Sequence, residues 1–212
     1  MSFMRLLKND KAATARRNID QLKREVAWGE LSEYTLKKIN KMADRNLLSP
    51  DVYIDELMSG SVSAATLFSK AASKQNRSET LQKRYIEAGL PGTTLEMQSK
   101  ARGRRFTMDN GNKTKSTDFT IGDNIFISAK ALTSQGGAQE NEVAEVKAFI
   151  RSVLEESVRT GEVLGAVGLL DVEFDIKSEE FMQTIPEELR NRVFIGNSDE
   201  FINFIKQGKK WP

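Results

Sequence analysis

Two short runs of alternating apolar and polar side chains, residues 117–121 and 124–130, stand close together in the second half of the chain. Alternation with a period of two is typical of β-strands that bury one face. Gly122 and Asp123 separate the two runs, and such a pair favours a tight turn between adjacent strands. The pattern therefore predicts two neighbouring strands joined by a turn.

Strand alternation divides the side chains of these two strands between opposite faces. Each strand has an apolar face, formed by Phe119 and Ile121 on the first and by Ile125, Ile127 and Ala129 on the second. If those apolar faces are buried, Asp118, Ser128 and Lys130 are left to converge on one polar site. These three residues form the candidate catalytic centre.

Apolar residues spaced three and four positions apart predict a series of helices in the first part of the chain. We expect helices over 11–28 and 31–43, a short one starting at Ser49 and Pro50, one starting near residues 61–63, and one over 78–89. A proline in the first turn after a capping serine is a favourable helix start. The N-terminal region is therefore expected to be helical.

Strand and helix patterns alternate in the rest of the chain. Strands are expected near 104–108, 163–170 and 192–195, and helices over 139–160 and 198–207. This order predicts an α/β (α+β) fold with a mixed central sheet flanked by helices. We place the domain division after residue 90: residues 1–90 would form a helical region for DNA binding and/or dimerisation, and residues 91–212 the α/β catalytic core.

The predicted helix 139–160 carries acidic residues close to its N-terminus. Glu142 lies one turn before Val146 at the edge of the apolar stripe, so it can lean toward the strand ends. Glu140 and Glu145 lie further round the helix, and we expect both to be solvated.

Missing residue types limit the chemistry that the chain can perform. It has 212 residues, no histidine and no cysteine. Disulfides, thiolate zinc sites, histidine-ligated zinc and nucleophiles activated by imidazole are all excluded. Hydrolysis would have to use carboxylates, lysine, hydroxyl groups and a metal bound by oxygen, such as Mg²⁺.

Charge is distributed unevenly although the formal net charge is only +2. Residues 70–115 carry 11 basic and 4 acidic side chains, whereas residues 116–212 carry 10 basic and 17 acidic ones. Phosphate contacts need cations close to the scissile bond. The candidate phosphate-binding residues that flank the site are Lys100, Arg102, Arg104, Arg105, Lys113 and Lys115.

Apolar runs in the chain are too short for membrane insertion. None approaches the roughly 20 residues that cross a bilayer, and the first ten residues lack the apolar core of a signal peptide. We therefore expect a cytoplasmic protein without a membrane partner.

The two strands that carry Asp118 and then Ser128 and Lys130 resemble the PD-(D/E)XK nuclease superfamily, especially the type II restriction endonucleases. In that family an aspartate begins the first strand, and a second strand carries an acid-x-lysine element. Asp118 matches the aspartate and Lys130 the lysine, while Ser128 takes the place of the second acid. Thr117 stands where a proline is often found. The resemblance covers about residues 104–160.

The resemblance implies a particular set of metal ligands and partners. Some restriction enzymes of this superfamily have Ser-x-Lys on the strand and take the missing carboxylate from the following helix. Glu142 would fill that role here, with Glu145 as the substitute. Asp118, Glu142 and the backbone carbonyl of Ala129 would hold Mg²⁺. The expected substrate is double-stranded DNA, and a homodimer is expected if both strands of a palindrome are cut.

Two other functions are compatible with the sequence. A non-catalytic DNA-binding regulator would read DNA with a helix-turn-helix-like segment that includes Ser63, Thr66 and Lys70. A Ser-Lys hydrolase would use Ser128 as the nucleophile and a neutral Lys130 as its base. The first predicts that Asp118→Ala leaves function intact, and the second requires Ser128 and Lys130 to touch.

Overall fold

The computed structural model describes residues 2–59, 75–97, 104–108, 114–131, 138–172, 174 and 176–208. The chain divides into two compact units, one of Arg5–Arg77 and one that combines Met1–Met4 with Ser78–Pro212. Helices dominate the first unit, and a mixed sheet with helices makes up the second. The predicted mixed class with a helical N-terminal region is confirmed.

Three helices are described in the first unit: α1 (Phe3–Ala27), α2 (Glu33–Arg45) and α3 (Pro50–Met58). The Ser32 and Ser49 hydroxyls cap α2 and α3, and Pro50 occupies the first turn of α3 as expected. The core of the unit consists of Leu22, Ile39, Ala43, Tyr53 and Leu57. The expected helix near residues 61–63, with Ser63, Thr66 and Lys70, lies outside the described residues.

The second unit contains the sheet and five described helices. Its helices are α4 (Gln75–Gly89), α5 (Ala138–Thr160), α6 (Ser178–Gln183), α7 (Glu187–Arg190) and α8 (Ser198–Lys206). Its strands are β1 (Glu96–Met97), β2 (Arg105–Thr107), β3 (Thr114–Ser116), β4 (Phe119–Ile121), β5 (Ile125–Ala131), β6 (Gly165–Asp171) and β7 (Val193–Gly196).

The main sheet has the strand order β1-β4-β5-β6-β7. The pairs β1–β4 and β4–β5 are antiparallel, and β5–β6 and β6–β7 are parallel. Helix α5 connects the parallel strands β5 and β6, as such a crossover requires. Every residue of β6 is buried, which confirms the prediction of a central strand covered on both faces.

Each face of this sheet is covered by its own helices. On one face Phe126, Ala166 and Ile195 pack against the apolar stripe of α5. On the other face Ile127, Val167 and Phe194 pack with side chains of α4 and α8. The alternation predicted for β5 is therefore confirmed, because Phe126 and Ile127 point to opposite cores.

The structure differs from the prediction at the domain division, at the start of β4 and in three short elements. The units separate between Arg77 and Ser78 instead of after residue 90, because Ile86 packs in the sheet core. The expected single strand over 117–121 begins only at Phe119. The short elements β1, α6 and α7 were not predicted.

Candidate active site

A local irregularity at the start of β4 sets the position of Asp118. Phe119 is the register partner of Ile127, and the N–H of Asp118 also donates to the carbonyl of Ile127 at 2.8 Å. Asp118 and Phe119 thus both lie opposite Ile127, and two residues opposite one is the pattern of a β-bulge. The Thr117 hydroxyl accepts a hydrogen bond from the N–H of Ile127 at 3.0 Å, taking the place of a backbone partner.

The Asp118 carboxylate turns from this bulge toward strand β5. Its Oδ2 accepts a hydrogen bond from the N–H of Ala129 at 2.8 Å and one from Ser128 Oγ at 3.4 Å. Burial raises the pKa of Asp118, and these hydrogen bonds together with the charges of Lys115 and Lys130 offset only part of that effect. Asp118 and Ser128 therefore meet as the strand pattern predicted.

Lys130 connects the end of β5 to the start of α5. Its Nζ lies 2.6 Å from Glu142 Oε2 and 3.7 Å from Glu145 Oε2. Burial alone would lower the pKa of Lys130, but its contact with Glu142 and the charges of Glu145, Glu142 and Asp118 outweigh that effect and raise it. Lys130 is therefore a cation at neutral pH.

Lys115 on β3 is the second lysine of the cluster. Its side chain is only 12% exposed, and its Nζ lies 2.8 Å from Glu145 Oε1. Burial acts to raise the pKa of Glu145, but the contact and charge of Lys115, together with Lys130, lower it overall. The Glu145 side chain is 41% exposed, so it is partly solvated as expected, but its ion pair with Lys115, which the β2–β3 pair brings to this helix, was not predicted.

Among the remaining basic candidates, Arg104 lies away from this cluster. Arg104 lies 2.6 Å from Glu162 and 3.3 Å from Glu156, near the far end of α5, with its guanidinium over the Phe126 ring. Phe126 lies near the start of β5 and Lys130 near its end. The ion pairs of Arg104 are therefore at the opposite end of this strand from the cluster, and their role is structural. Arg105 is exposed on β2. The candidates Lys100, Arg102 and Lys113 lie outside the described residues.

The charged groups offer a small set of oxygen ligands for a cation. No group of three or more acidic side chains placed to hold a metal occurs in the described part of the chain. Mg²⁺ commonly uses only one or two carboxylates, with water and substrate phosphates completing its shell. Within the described residues, Glu142 Oε2 is buried and forms an ion pair with Lys130. The geometry of that contact is not that of a hydrogen bond, and Oε2 accepts no other hydrogen bond there. Asp118 and Glu142, which both lie near Lys130, are the carboxylates that such a site would use.

A second buried acidic residue, Asp171, was not predicted as important. It ends β6 on the sheet face that packs against α4 and α8. Its Oδ1 accepts a hydrogen bond from the N–H of Ser198 at 3.0 Å, and its Oδ2 accepts bonds from Ser198 Oγ and Gln82 Nε2. Burial raises the pKa of Asp171 to about 6. The one signal in the sequence is an acid directly after a long apolar run.

Comparisons with known protein families, curated proteins and solved structures find no match to this chain. The geometry of the cluster is therefore the basis for assigning a function. Among the helices of the described residues, none combines the length and apolar character needed to cross a bilayer.

Proposed function

We propose that this chain is a Mg²⁺-dependent endonuclease that hydrolyses DNA phosphodiester bonds, as a site-specific enzyme of the type II restriction class. The observation that supports the proposal is the contact between Lys130 and Glu142 near the half-buried Asp118 carboxylate. An aspartate before one strand, a lysine on the adjacent strand and a glutamate on the following helix are the minimum set that the PD-(D/E)XK resemblance requires. Under this proposal the protein is cytoplasmic, binds double-stranded DNA and acts as a homodimer.

Each residue of the cluster has a separate task in this proposal. Asp118, Glu142 and the Ala129 carbonyl would hold Mg²⁺, which when bound stabilises charge on phosphoryl oxygens and provides a hydroxide at neutral pH. The Lys130 ammonium orients the attacking water and stabilises negative charge that develops on the phosphate. Lys115, which pairs with Glu145, adds a second positive charge near Asp118.

Ser128 has a supporting task and is not the nucleophile in this proposal. Its side chain is completely buried, and its hydroxyl donates to Asp118. The raised pKa of Lys130 keeps that side chain protonated, whereas a Ser-Lys hydrolase needs a neutral lysine as base. Both observations favour the nuclease over the hydrolase.

Cleavage of plasmid DNA tests the proposal directly. Purified protein is incubated with supercoiled plasmids of varied sequence in Mg²⁺ or in EDTA, beside the variants Asp118→Ala and Lys130→Ala. Discrete fragments that require Mg²⁺ and disappear in both variants are expected. Lys206→Ala is the control, because Lys206 is an exposed lysine on α8, away from the cluster.

The other outcomes of this experiment point to different functions. Smeared products would indicate a nuclease without sequence specificity. Absence of cleavage of both DNA and RNA by the wild-type protein would overturn the catalytic proposal. DNA binding that is unchanged in Asp118→Ala, without any cleavage, would instead support the DNA-binding regulator.

A further inference from the structure

Helix α2 presents a basic face beside its buried stripe. Thr35, Ile39 and Ala43 are its buried residues. A second stripe next to them carries residues at spacings of four, three and four: Tyr34, Lys38, Lys41 and Arg45. Lys37 borders this stripe and is exposed. We call these five residues the basic face.

The charges of the basic face are poorly balanced within the helix. Lys37, Lys41 and Arg45 stand four residues apart, and like charges at that spacing destabilise an isolated helix. Glu33 and Asp44 are at suitable helical spacings from this row. Even so, none of these three cations has an ion pair in the described ranges of the chain. A polyanion bound along the row would relieve this repulsion.

An exposed aromatic ring accompanies these cations. The side chain of Tyr34 is 61% exposed, and Lys38 Nζ lies 4.6 Å from the centre of its ring. A ring held beside a row of cations is the combination found on surfaces that bind single nucleic-acid strands, where bases stack on the ring and phosphates meet the cations.

We infer that the basic face of α2 binds the sugar–phosphate backbone of DNA. From Lys38 to Arg45 the helix rises about 10 Å. That length is enough for the cations of the row to meet about two successive phosphates of one strand. The inference rests on the proposed function only for the choice of DNA as the polyanion. It assigns the helical unit a separate task, which is to hold the substrate without taking part in cleavage.

The salt dependence of DNA binding tests this inference. Fluorescence anisotropy is measured in EDTA with the full-length protein and a labelled DNA duplex or single strand, over a series of salt concentrations. In the double variant Lys41→Ala/Arg45→Ala, the slope of log affinity against log salt should fall by about 2. At about 0.1 M salt, affinity should fall roughly tenfold for each phosphate-binding cation that is removed.

A matched variant and a charge-neutral variant complete the design. Arg84→Ala/Lys206→Ala removes the same two charge types from exposed positions on α4 and α8, and it should bind like wild type. Tyr34→Ala should weaken binding of the single strand roughly tenfold and leave the salt slope unchanged. Circular dichroism and thermal unfolding of every variant establish that the fold is retained.

The results that would overturn the inference are separable from failure of the proposed function. A folded Lys41→Ala/Arg45→Ala variant with the wild-type slope and affinity would overturn it even if the protein cleaves DNA. Binding to vesicles that contain phosphatidylserine, without binding to either form of DNA, would also overturn it. Loss of DNA binding in that variant would support it even if no condition gives cleavage, because the assay excludes metal.

Discussion

Lys130 Nζ lies 2.6 Å from Glu142 Oε2, so the end of strand β5 is tied to the beginning of helix α5 by one ion pair. Lys115 and Glu145 form a second pair next to it at 2.8 Å. The nearest lysine therefore differs between the two glutamates, although they lie one turn apart on the same helix and Lys130 also lies 3.7 Å from Glu145. This difference allows their roles to be separated by mutation.

Glu142→Gln is expected to reduce DNA cleavage by about 100-fold or more, because it removes a proposed metal ligand and the charge beside Lys130. Glu145→Gln is the matched control and should keep most of the wild-type rate, since its main contact is with Lys115. Initial rates on plasmid DNA at a fixed Mg²⁺ concentration measure both effects. The opposite ranking of the two variants would give the ligand role to Glu145.

Thr117→Val is expected to destabilise the protein and to reduce cleavage. The Thr117 hydroxyl lies 2.7 Å from the Phe119 carbonyl and accepts from the N–H of Ile127, so valine would leave a buried N–H without a partner. The free energy of unfolding should fall by about 1 to 3 kcal/mol. Urea unfolding measures the loss, and cleavage assays show whether Asp118 has moved.

The control for this substitution is Thr107→Val on strand β2, because Thr107 is exposed. It should change the free energy of unfolding by no more than about 0.5 kcal/mol. If both variants unfold at the same urea concentration, the Thr117 hydroxyl does not stabilise the bulge.

The local parts of the site were predictable because side-chain alternation and helix periodicity act over a few residues. Alternation placed Ser128 and Lys130 on one face, and helix geometry placed Glu142 near the strand ends. The bulge was not predictable, because Thr117 continues the alternating pattern and replaces a backbone partner only in three dimensions.

Contacts between distant segments could not be predicted from these patterns. Nothing in the sequence indicates that Lys115 pairs with Glu145, or that Arg104 pairs with Glu162 instead of lying at the site. Both contacts depend on β2 and β3 forming a separate sheet against α5. Periodicity identifies which face of an element is buried, but it does not identify the partner of that face.

Gly168→Ala is expected to destabilise the protein by about 1 to 3 kcal/mol through overpacking under α5. A Cβ atom at residue 168 would lie 2.5 Å from Val146 Cγ1 and 3.0 Å from Ile150 Cδ1. Valine in a helix strongly prefers one rotamer, so this side chain cannot easily move away. The midpoint of urea unfolding measures the effect.

Gly161→Ala provides a useful comparison for the substitution at Gly168. Its added methyl group would meet no atom within 4 Å, but the backbone φ of +74° is unfavourable for alanine. It should therefore lose stability through backbone strain without displacing α5. Only Gly168→Ala should reduce cleavage, since α5 carries Glu142. Equal cleavage by both variants would contradict this account.

Asp171 should make stability depend on pH in a direction opposite to that of an ordinary ion-paired carboxylate. Burial raises its folded pKa from 3.8 to about 6, so its contribution to stability is fully present below 3.8 and is lost as pH rises through 6. A difference of about two pH units corresponds to roughly 3 kcal/mol. Its three hydrogen bonds, from Ser198 and Gln82, stabilise the ionised form but do not offset the cost of burial.

Asp171→Asn removes this titration and keeps the size of the side chain. Relative to the variant, wild type should lose up to roughly 3 kcal/mol of unfolding free energy between about pH 3 and about pH 7, with the steepest change near about pH 5. Urea unfolding of both proteins at a series of pH values gives this difference. The contributions of the other titrating groups are common to both proteins and are removed by the subtraction. A difference that does not vary with pH would mean that Asp171 keeps an ordinary pKa and that its hydrogen bonds fully offset burial.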